Sequence, residues 1–229
     1  NSAQLNKAIQ HYSLHSLVSC LLIIYLKPFE REMRPFFING KYVKYLHTYT
    51  GSLNDRFFPS VHATNEAVLV LDEGVLVHHD DISLLFRHWG RYKRKMVGFF
   101  PLWIQQSNHT RQILGSAEVQ NSTGYALMST KAVMLHKKYL YQYSCVMGQA
   151  LRKVVDHSHS SCEGIAMNFL ASQATHGPSG VYVQPSHSIE AQAHGSDVGV
   201  ACLERLERLL SYKLPPQLLL QKDEALSLG

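Results

Sequence analysis

The sequence predicts an α/β fold in which a mainly parallel sheet is flanked by helices. Two observations predict it: short, wholly apolar segments of strand length recur along the chain, and segments with apolar residues at helical spacing lie between them. The 229 residues, 45% of them hydrophobic, are enough to enclose one large core, and no internal repeat or low-complexity linker divides them. We therefore predict one domain, residues 1–212, followed by an atypical tail, residues 213–229.

The first third of the chain contains one predicted helix and three predicted strands. They cover residues 3–13, 17–26, 41–50 and 67–71, in that order. Ser2 is a suitable cap for the helix, and the turn signal Asn39-Gly40 precedes the strand 41–50, in which apolar and polar residues alternate. The strand 67–71 (AVLVL) is wholly apolar and runs directly into the acidic turn Asp72-Glu73-Gly74.

Helices and strands are predicted to alternate in the rest of the chain. Either Asp80 or Asp81 is expected to cap a helix whose apolar residues recur at i, i+3, i+4 and i+7, namely Ile82, Leu85, Phe86 and Trp89. Strands are then predicted at 96–100, 125–129 and 181–183, and helices at 139–143, 149–155, 165–174 and 200–212.

The polar composition excludes some classes of site and leaves others open. The net charge of +5 is compatible with an anionic ligand. We interpret the basic run 87–95 as the solvated end of a helix, and polyanion binding is the alternative. No nucleic-acid partner is expected. His78-His79 and His157-x-His159 lack spaced partners of a zinc site and are interpreted as surface histidines. The four cysteines show no CxxC spacing, so neither zinc nor thioredoxin chemistry is indicated, and one disulfide is compatible with them.

Signals for targeting are weak in the sequence. No run approaches the roughly 20 apolar residues that a membrane-spanning helix needs. The chain begins at Asn1 without a methionine or a leader, so we expect a fragment whose anchor or targeting segment lies upstream or has been lost. Two glycosylation sequons, at Asn108 and Asn121, lie in a polar stretch that is expected to be a loop.

The acidic turn after the strand 67–71 is the best-placed candidate site. Ligands of open α/β sheets bind at the carboxyl ends of the strands, where the buried strand opens into a crevice. The carboxylates of Asp72 and Glu73 could there hold a hard divalent cation, Mn²⁺ or Mg²⁺, which neutralises a diphosphate leaving group. A simple polar turn is the alternative interpretation of the same residues.

Four motifs in a fixed order give the sequence a family resemblance. They are SLNDRF at 52–57, EAVLVLDEGVL at 66–76, VGF at 97–99 and CEGIAMNFL at 162–170. This series resembles the exostosin family, glycosyltransferase family 64, which typically shows SLNNRF, TEAVLxxDDDV, IVGF and NCEDIAMNFL. The resemblance spans roughly residues 11–202.

The resemblance implies a GT-A fold and a hexosyltransferase that moves a sugar, usually an N-acetylhexosamine, from a UDP donor to a glycan or glycolipid acceptor with retention. It implies that Asn54 and Arg56 contact the nucleotide. It further implies that Asp72 and Glu73 bind the donor ribose and a Mn²⁺ ion, and that Glu163 acts near the reacting centre. A lumenal location in the Golgi or endoplasmic reticulum, with a membrane anchor in the full-length protein, is also expected.

Several positions depart from the family pattern. Gly74 stands where the family has the Asp expected to bind the metal directly, and Gly164 stands where it has a second acid. Gly199 matches an arginine of the family if the alignment is anchored on Cys202, and Arg205 is the alternative for that role. The family's first nucleotide-binding strand, ahead of the helix 3–13, is expected to be missing, which would leave an unpaired sheet edge.

The resemblance also implies a disulfide bond, and together with the departures it leads to three hypotheses about the function. The family's cysteine in the CED motif pairs with a later one, so Cys162 and Cys202 are expected to form a disulfide, as in an oxidising compartment. The first hypothesis is an active UDP-sugar transferase. The alternatives are a catalytically impaired relative that assembles, as a homo- or hetero-oligomer, with an active transferase, and the product of a decaying gene.

Overall fold

The computed structural model describes residues 2–25, 34–48, 51–107, 110–115, 124–158, 162–189, 197–214 and 218–219. The helices are α1 Ser2–Ser13, α2 His79–Arg91, α3 Lys137–Tyr141, α4 Gln149–Asp156, α5 Cys162–Thr175 and α6 Asp197–Leu210. The strands are β1 Cys20–Tyr25, β2 Phe36–Ile38, β3 Lys41–His47, β4 Ala67–Leu71, β5 Met96–Gly98, β6 Pro101–Ser107, β7 Thr110–Leu114, β8 Gly124–Tyr125, β9 Leu127–Met128, β10 Ala132–His136, β11 Gly180–Tyr182 and β12 Leu218–Leu219. A 3-10 segment, Leu53–Val61, and a π-helical turn, Gln142–Val146, complete the described elements.

The sheet that carries the candidate site is mixed. Its order is β11-β5-β10-β4, and β10 pairs antiparallel with both β4 and β5, whereas β11 pairs parallel with β5. The prediction of an α/β fold is confirmed, but the prediction of a mainly parallel sheet is wrong for the described strands. A parallel return needs a crossover, usually a helix, and the described residues between β5 and β10 form strands instead, so β10 enters the sheet in the opposite direction.

Three further sheets of the described strands lie outside this one, and the third is the pair β12-β8. In the first, β1 and β3 are parallel and β2 is antiparallel to β3. Asn39 and Gly40 connect β2 to β3 with positive φ angles of 48° and 73°, the conformation that the predicted turn requires. In the second, β6 pairs antiparallel with β7 and with β9. Most of the predicted tail lies outside the described residues, but β12 within it pairs with β8.

The core lies on both faces of the mixed sheet because the side chains of β10 alternate between two apolar clusters. Val133 and Leu135 belong to the cluster formed with α4, α5 and α6, whereas Ala132 and Met134 belong to the cluster formed with α1 and α2. The sheet is therefore covered by helices on both faces, as the predicted α/β class requires.

Helix α2 begins two or three residues earlier than the sequence predicts. His78 is its N-cap and accepts the N–H of Asp80 with its side chain, so the prediction that Asp80 or Asp81 caps the helix is wrong. Asp81 is drawn into the core instead, because its fully buried carboxylate accepts hydrogen bonds from the segment that follows β11. None of the described helices combines the length and the apolar character needed to cross a bilayer.

Candidate functional site

The acidic turn after β4 is fixed by the neighbouring strand. The backbone N–H of Asp72 donates to the carbonyl oxygen of Lys131, 2.9 Å away, in the turn that leads into β10. Gly74 has a φ of +83°, in the left-handed region, and the N–H of Val75 closes the turn onto the Asp72 carbonyl at 3.2 Å. The Asp72 side chain is 24% exposed and Glu73 is exposed, so the turn places one carboxylate at the protein surface and one partly below it.

Arg56 joins three segments of the chain at this turn. Its guanidinium group forms an ion pair with Asp72, and its Nη1 atom lies 3.9 Å from Oε1 of Glu163. Its Nη2 atom donates to the carbonyl oxygen of Thr130 at 2.6 Å. The structure therefore brings Arg56, Asp72 and Glu163 together, as the sequence predicts for three residues of one site.

Glu163 is the buried carboxylate of this group. The residue is 5% exposed at the start of α5, and its Oε2 atom has no hydrogen-bond partner within the described residues. Burial raises the pKa of Glu163; the nearby Arg56 guanidinium lowers it and the Asp72 carboxylate raises it again. A carboxyl group with a raised pKa can exchange a proton nearer to neutral pH, which is the property of a general acid or base.

A second buried atom at the site also lacks a partner. The Nε atom of Arg56, like Oε2 of Glu163, makes no hydrogen bond to the described part of the protein. Buried polar atoms are nearly always paired in native proteins, and an exception points to a ligand, an ion or a water molecule that satisfies it. One unpaired donor and one unpaired acceptor thus lie at the centre of the candidate site.

The three glycines at the departures from the family pattern lie in three different environments. A Cβ atom on Gly74 would meet nothing within 4 Å, so only its backbone conformation opposes a side chain. A Cβ atom on Gly164 would lie 2.9 Å from Oγ1 of Thr130, and one on Gly199 would lie 2.9 Å from Cδ1 of Ile113. Gly199 therefore faces apolar side chains, which is a poor environment for the diphosphate-binding arginine expected at that position.

The remaining predicted residues lie apart from the Arg56 cluster. Asn54 donates from Nδ2 to the carboxylate of Asp156 at 2.8 Å and to the carbonyl oxygen of Arg152 at 3.1 Å. Its Oδ1 atom accepts the hydroxyl of Tyr143 at 2.8 Å, so its amide is directed toward α4 and the π-helical turn. Arg205 is exposed on α6, and no ion pair joins it to the acidic residues of the described structure. The nucleotide-contacting role of Asn54 stays a prediction.

A disulfide connects the start of α5 to α6. Cys162 and Cys202 are bonded, with their Cα atoms 5.7 Å apart, which confirms the pairing that the resemblance implies. The described cysteines outside this bond are Cys20, which is partly buried, and Cys145, which is exposed. Because Cys162 directly precedes Glu163, the bond fixes the helix end that carries the buried carboxylate.

Thr130 is a residue of the site that the sequence analysis missed. Its carbonyl oxygen holds Arg56, and its side chain occupies the space beside Gly164. The signal available in the sequence was the polar turn Ser129-Thr130-Lys131 between two apolar segments, which resembles many ordinary turns. Only the pairing of β10 with β4 shows that this turn lies beside Asp72.

A cavity of about 440 Å³ lies elsewhere, among the π-helical turn and helices α4, α5 and α6. Its lining is mainly apolar and includes Leu151, Phe169 and Leu206, but none of Arg56, Asp72 and Glu163. The cavity and the acidic site are therefore separate features of the molecule.

Comparison with known proteins gives a consistent set of similarities. The family model described as "Glycosyl transferase family 64 domain" matches residues 1–208. The exostosin-like-3 homolog of Caenorhabditis elegans is 34% identical over 139 residues, which are 59% of this chain and 16% of the relative. The glycosylinositol phosphorylceramide mannosyl transferase 1 of Arabidopsis thaliana is 32% identical over 132 residues, 56% of this chain and 39% of the relative.

Human exostosin-2 is a third similar protein, 29% identical over 137 residues, which are 58% of this chain and 18% of the relative. The chain thus spans between 16% and 39% of the lengths of these three relatives.

Proposed function

This chain belongs to the exostosin family, by its match to the glycosyl transferase family 64 domain over residues 1–208, and from that premise we propose that it transfers a sugar from a UDP donor to a glycan or glycolipid acceptor with retention. The donor sugar proposed is an N-acetylhexosamine. The observation that carries the proposal is the unpaired donor on Arg56 beside the unpaired acceptor on Glu163, at the end of β4. In this proposal, polar groups of the bound donor pair with both atoms.

Arg56 is the residue proposed to face the diphosphate. A departing UDP gains negative charge, and a guanidinium group that is held in place beforehand stabilises that charge without reorganisation. Arg56 is held in this way by Asp72 and by the carbonyl oxygen of Thr130, while its Nε atom keeps an unused N–H. In the same proposal Asn54 contacts the nucleotide after release from Asp156.

Asp72 and Glu73 are proposed to bind the donor ribose and a Mn²⁺ ion. Their carboxylates supply the oxygen ligands that a hard cation prefers, and a cation of this kind is commonly held by one or two carboxylates together with substrate phosphates and water. Gly74 contributes no side-chain oxygen, so in this proposal the turn supplies ligand oxygens from these two residues alone. When bound, Mn²⁺ would supply positive charge to the leaving diphosphate.

Glu163 is proposed to act beside the reacting carbon of the sugar. In the transfer, the bond between that carbon and the diphosphate oxygen breaks with its electron pair, and a bond to the acceptor oxygen forms on the same face. The acceptor hydroxyl loses its proton in this step. The raised pKa of Glu163, caused first by burial, suits a group that receives or passes on that proton.

Two further parts of the proposal concern the acceptor and the compartment. One relative's name states that it acts on glycosylinositol phosphorylceramide, which supports a glycolipid as one class of acceptor for this chain. The disulfide between Cys162 and Cys202 supports an oxidising compartment, for which we propose the lumen of the Golgi or endoplasmic reticulum, with the full-length protein anchored in the membrane.

Calorimetric titration with UDP, with and without Mn²⁺, tests the binding part of the proposal. We expect binding that Mn²⁺ strengthens, and that Arg56→Ala weakens by about 100-fold, the scale of one lost charge-assisted contact. Arg87→Ala removes an exposed arginine on α2 and serves as the matched control with unchanged affinity. If UDP does not bind to the folded wild-type chain in the presence of Mn²⁺, the proposal fails.

A second candidate function is that of an impaired relative that assembles with an active transferase. It is favoured by Gly74, which cannot bind a metal through a side chain, and by Gly164, where the Thr130 side chain occupies the space of a second acid. Incubation with UDP-N-acetylhexosamines separates the two candidates. Steady release of UDP by the wild-type chain, lost in Glu163→Gln, would exclude the second candidate.

A further inference from the structure

Three exposed side chains with metal-binding atoms converge at the start of α2. They belong to His78, Asp80 and His187, and one donor atom of each lies within 4.8 Å of the other two. His78 and Asp80 are neighbours in sequence, but His187 belongs to the segment that follows β11. Histidine nitrogens and a carboxylate oxygen form a donor set that suits divalent transition metals such as zinc.

Asp81 holds His187 in a defined orientation and tautomer. The Asp81 carboxylate is fully buried and accepts the backbone N–H groups of Ser186, at 2.7 Å, and His187, at 3.1 Å. It also lies 3.1 Å from the His187 Nδ1 atom. Because an ionised carboxylate can only accept, the Nδ1 atom of the neutral His187 ring carries the hydrogen, and the Nε2 atom is the one that has a lone pair for a metal. Metal-binding histidines in proteins are commonly held by an outer carboxylate in this way.

His78 and Asp80 already have the spacing of two ligands of one ion. The Nδ1 atom of His78 lies 3.5 Å from Oδ2 of Asp80. Two ligand atoms at about 2.0–2.1 Å from a tetrahedral zinc ion are about 3.4 Å apart, which follows from the bond lengths and the tetrahedral angle. The lone pair of this Nδ1 atom now accepts the Asp80 N–H at 3.3 Å, a long bond that a metal ion could replace.

The third ligand needs only a side-chain movement. The rings of His78 and His187 are stacked, with centroids 3.7 Å apart and planes inclined by 23°. In a stack the two nitrogens do not converge on one point, so one ring has to turn when an ion binds. The side chains of His78 and Asp80 are 48% and 80% exposed, so they can turn together and keep their spacing while His187 stays on Asp81, because rotations of exposed side chains are fast and inexpensive.

The charge balance at the helix end also permits a cation. The N-terminus of α2 carries a partial positive charge from the aligned peptide dipoles, equivalent to roughly half an elementary charge, which by itself opposes a cation. Asp80 and Asp81 lie in the first turn of the helix and contribute two carboxylates. Their negative charge exceeds the partial charge of the helix end.

We propose that His78, Asp80 and His187 bind a divalent transition-metal ion, with zinc as the cation that the donor set favours, and that Asp81 is the positioning residue of this site. The site is separate from the acidic turn and does not depend on the proposed transferase activity. A bound ion would link the segment after β11 to the start of α2, and so restrain the chain that leads away from the Asp72 turn.

Calorimetric titration of the full chain with zinc chloride, in a buffer that does not bind zinc, tests the site. We expect the wild-type chain to bind one zinc ion and His187→Ala to lose this binding. In Asp81→Asn the zinc affinity should fall by about 10–100-fold, the usual effect of removing an outer carboxylate. His47→Ala, which changes an exposed histidine at the end of β3, is the matched control and should leave the affinity unchanged. Zinc affinity unchanged in His187→Ala, or no zinc binding by the wild-type chain, would overturn the proposal.

Asp81 is fully buried, so its variant could fail to fold. His78→Ala and His187→Ala alter exposed side chains, and a thermal melt shows whether each remains folded. Cobalt chloride then provides a second readout, because Co²⁺ in a site of two imidazoles and a carboxylate gives visible absorption bands. Loss of these bands in both folded variants supports the site, and their persistence in both refutes it.

Discussion

Glu163 lies in the candidate site and, as a buried carboxylate, lowers the stability of the folded chain. Its carboxylate is 5% exposed, the Nη1 atom of Arg56 lies 3.9 Å from Oε1, and Oε2 has no hydrogen-bond partner within the described residues. Burial raises its pKa, which means that the folded chain holds the proton more tightly than the unfolded chain does. The ionised form of Glu163 therefore opposes folding at neutral pH.

Glu163→Gln is expected to raise the free energy of unfolding at pH 7 by about 1 kcal/mol, because it removes a charged group that lacks a full set of hydrogen bonds. A group with a raised pKa favours the folded state below its ordinary pKa and loses that contribution as the pH rises through the raised value. The advantage of the variant should therefore shrink as the pH falls toward the ordinary glutamate pKa of 4.5. Urea denaturation across this pH range provides the measurement.

Glu73→Gln is the matched control, since Glu73 is exposed in the same site and its neutralisation should leave stability nearly unchanged. Under the proposed function, Glu163→Gln should at the same time lower UDP release by about 100-fold or more. A Glu163→Gln protein that is less stable than the wild type at pH 7 would contradict this account of Glu163.

A glycine is favoured at position 74 by the backbone conformation, and not by a lack of space for a side chain. Its φ is +83°, and a Cβ atom would meet nothing within 4 Å. Gly74→Ala should therefore lower the free energy of unfolding by about 1 kcal/mol, the cost of a left-handed conformation for a residue with a Cβ atom. Gly90→Ala, in α2 without a positive φ, should raise it by about 0.5 kcal/mol because alanine is the better helix former. Changes of the same sign in thermal unfolding of the two variants would contradict this assignment.

At the scale of residues, the sequence predicted three side chains that lie together at the candidate site, but it did not predict the contacts of the others. The resemblance identified Arg56, Asp72 and Glu163, and the structure brings these three together. It could not show that Asn54 is engaged by Asp156, because that bond depends on how α4 packs against the 3-10 segment. Thr130 was missed for the same reason, since its position follows from strand pairing.

The buried amide of Asn168 connects helix α5 to two neighbouring strands. Asn168 is 1% exposed and donates from Nδ2 to the carbonyl oxygens of Met128, at 2.9 Å, and Gly164, at 2.8 Å. Its Oδ1 atom accepts the N–H of Met128 at 2.8 Å and the hydroxyl of Ser179 at 2.7 Å. This residue lies within the IAMNF motif, so the motif joins α5 to β9 and to the start of β11 as well as filling the core.

Asn168→Ala should lower the free energy of unfolding by about 3 kcal/mol, because it leaves buried groups of Met128 and Ser179 without partners. Gln173→Ala changes an exposed residue of the same helix and is expected to stay within about 0.5 kcal/mol of the wild type. Chemical denaturation of the two variants, followed by circular dichroism, makes the comparison. Similar stabilities would show that the amide network contributes little.

At the scale of elements, the sequence predicted a helix or a strand correctly where the segment had a clear hydrophobic pattern and a charged residue marked one of its ends. The strand 67–71 and the helix beginning near Asp80 were predicted because each ends or begins at charged residues. Strand β10 was missed, because a short apolar run between two lysines does not distinguish a strand from the start of the helix that follows it. Its antiparallel direction, which makes the sheet mixed, depends on the whole path of the chain between β5 and β10.

At the scale of the whole molecule, one covalent bond joins α5 to α6 across 40 residues. We expect Cys162→Ala combined with Cys202→Ala to lower the free energy of unfolding by about 4 kcal/mol, the loop-closure value for a ring of this size. Cys145→Ala, which changes an exposed free cysteine, is the control and should have little effect. Denaturant midpoints of both proteins under non-reducing conditions test the prediction, and equal midpoints would refute it.

The position of that bond also sets an order of events during synthesis. Arg56 and Asp72 are made before Glu163, and they can pair once the 3-10 segment and β4 have emerged. Glu163 emerges much later, and the helix end that carries it cannot be locked until Cys202 has been made and oxidised. The covalent bond beside Glu163 therefore forms only after Arg56, Asp72 and Glu163 have all been made.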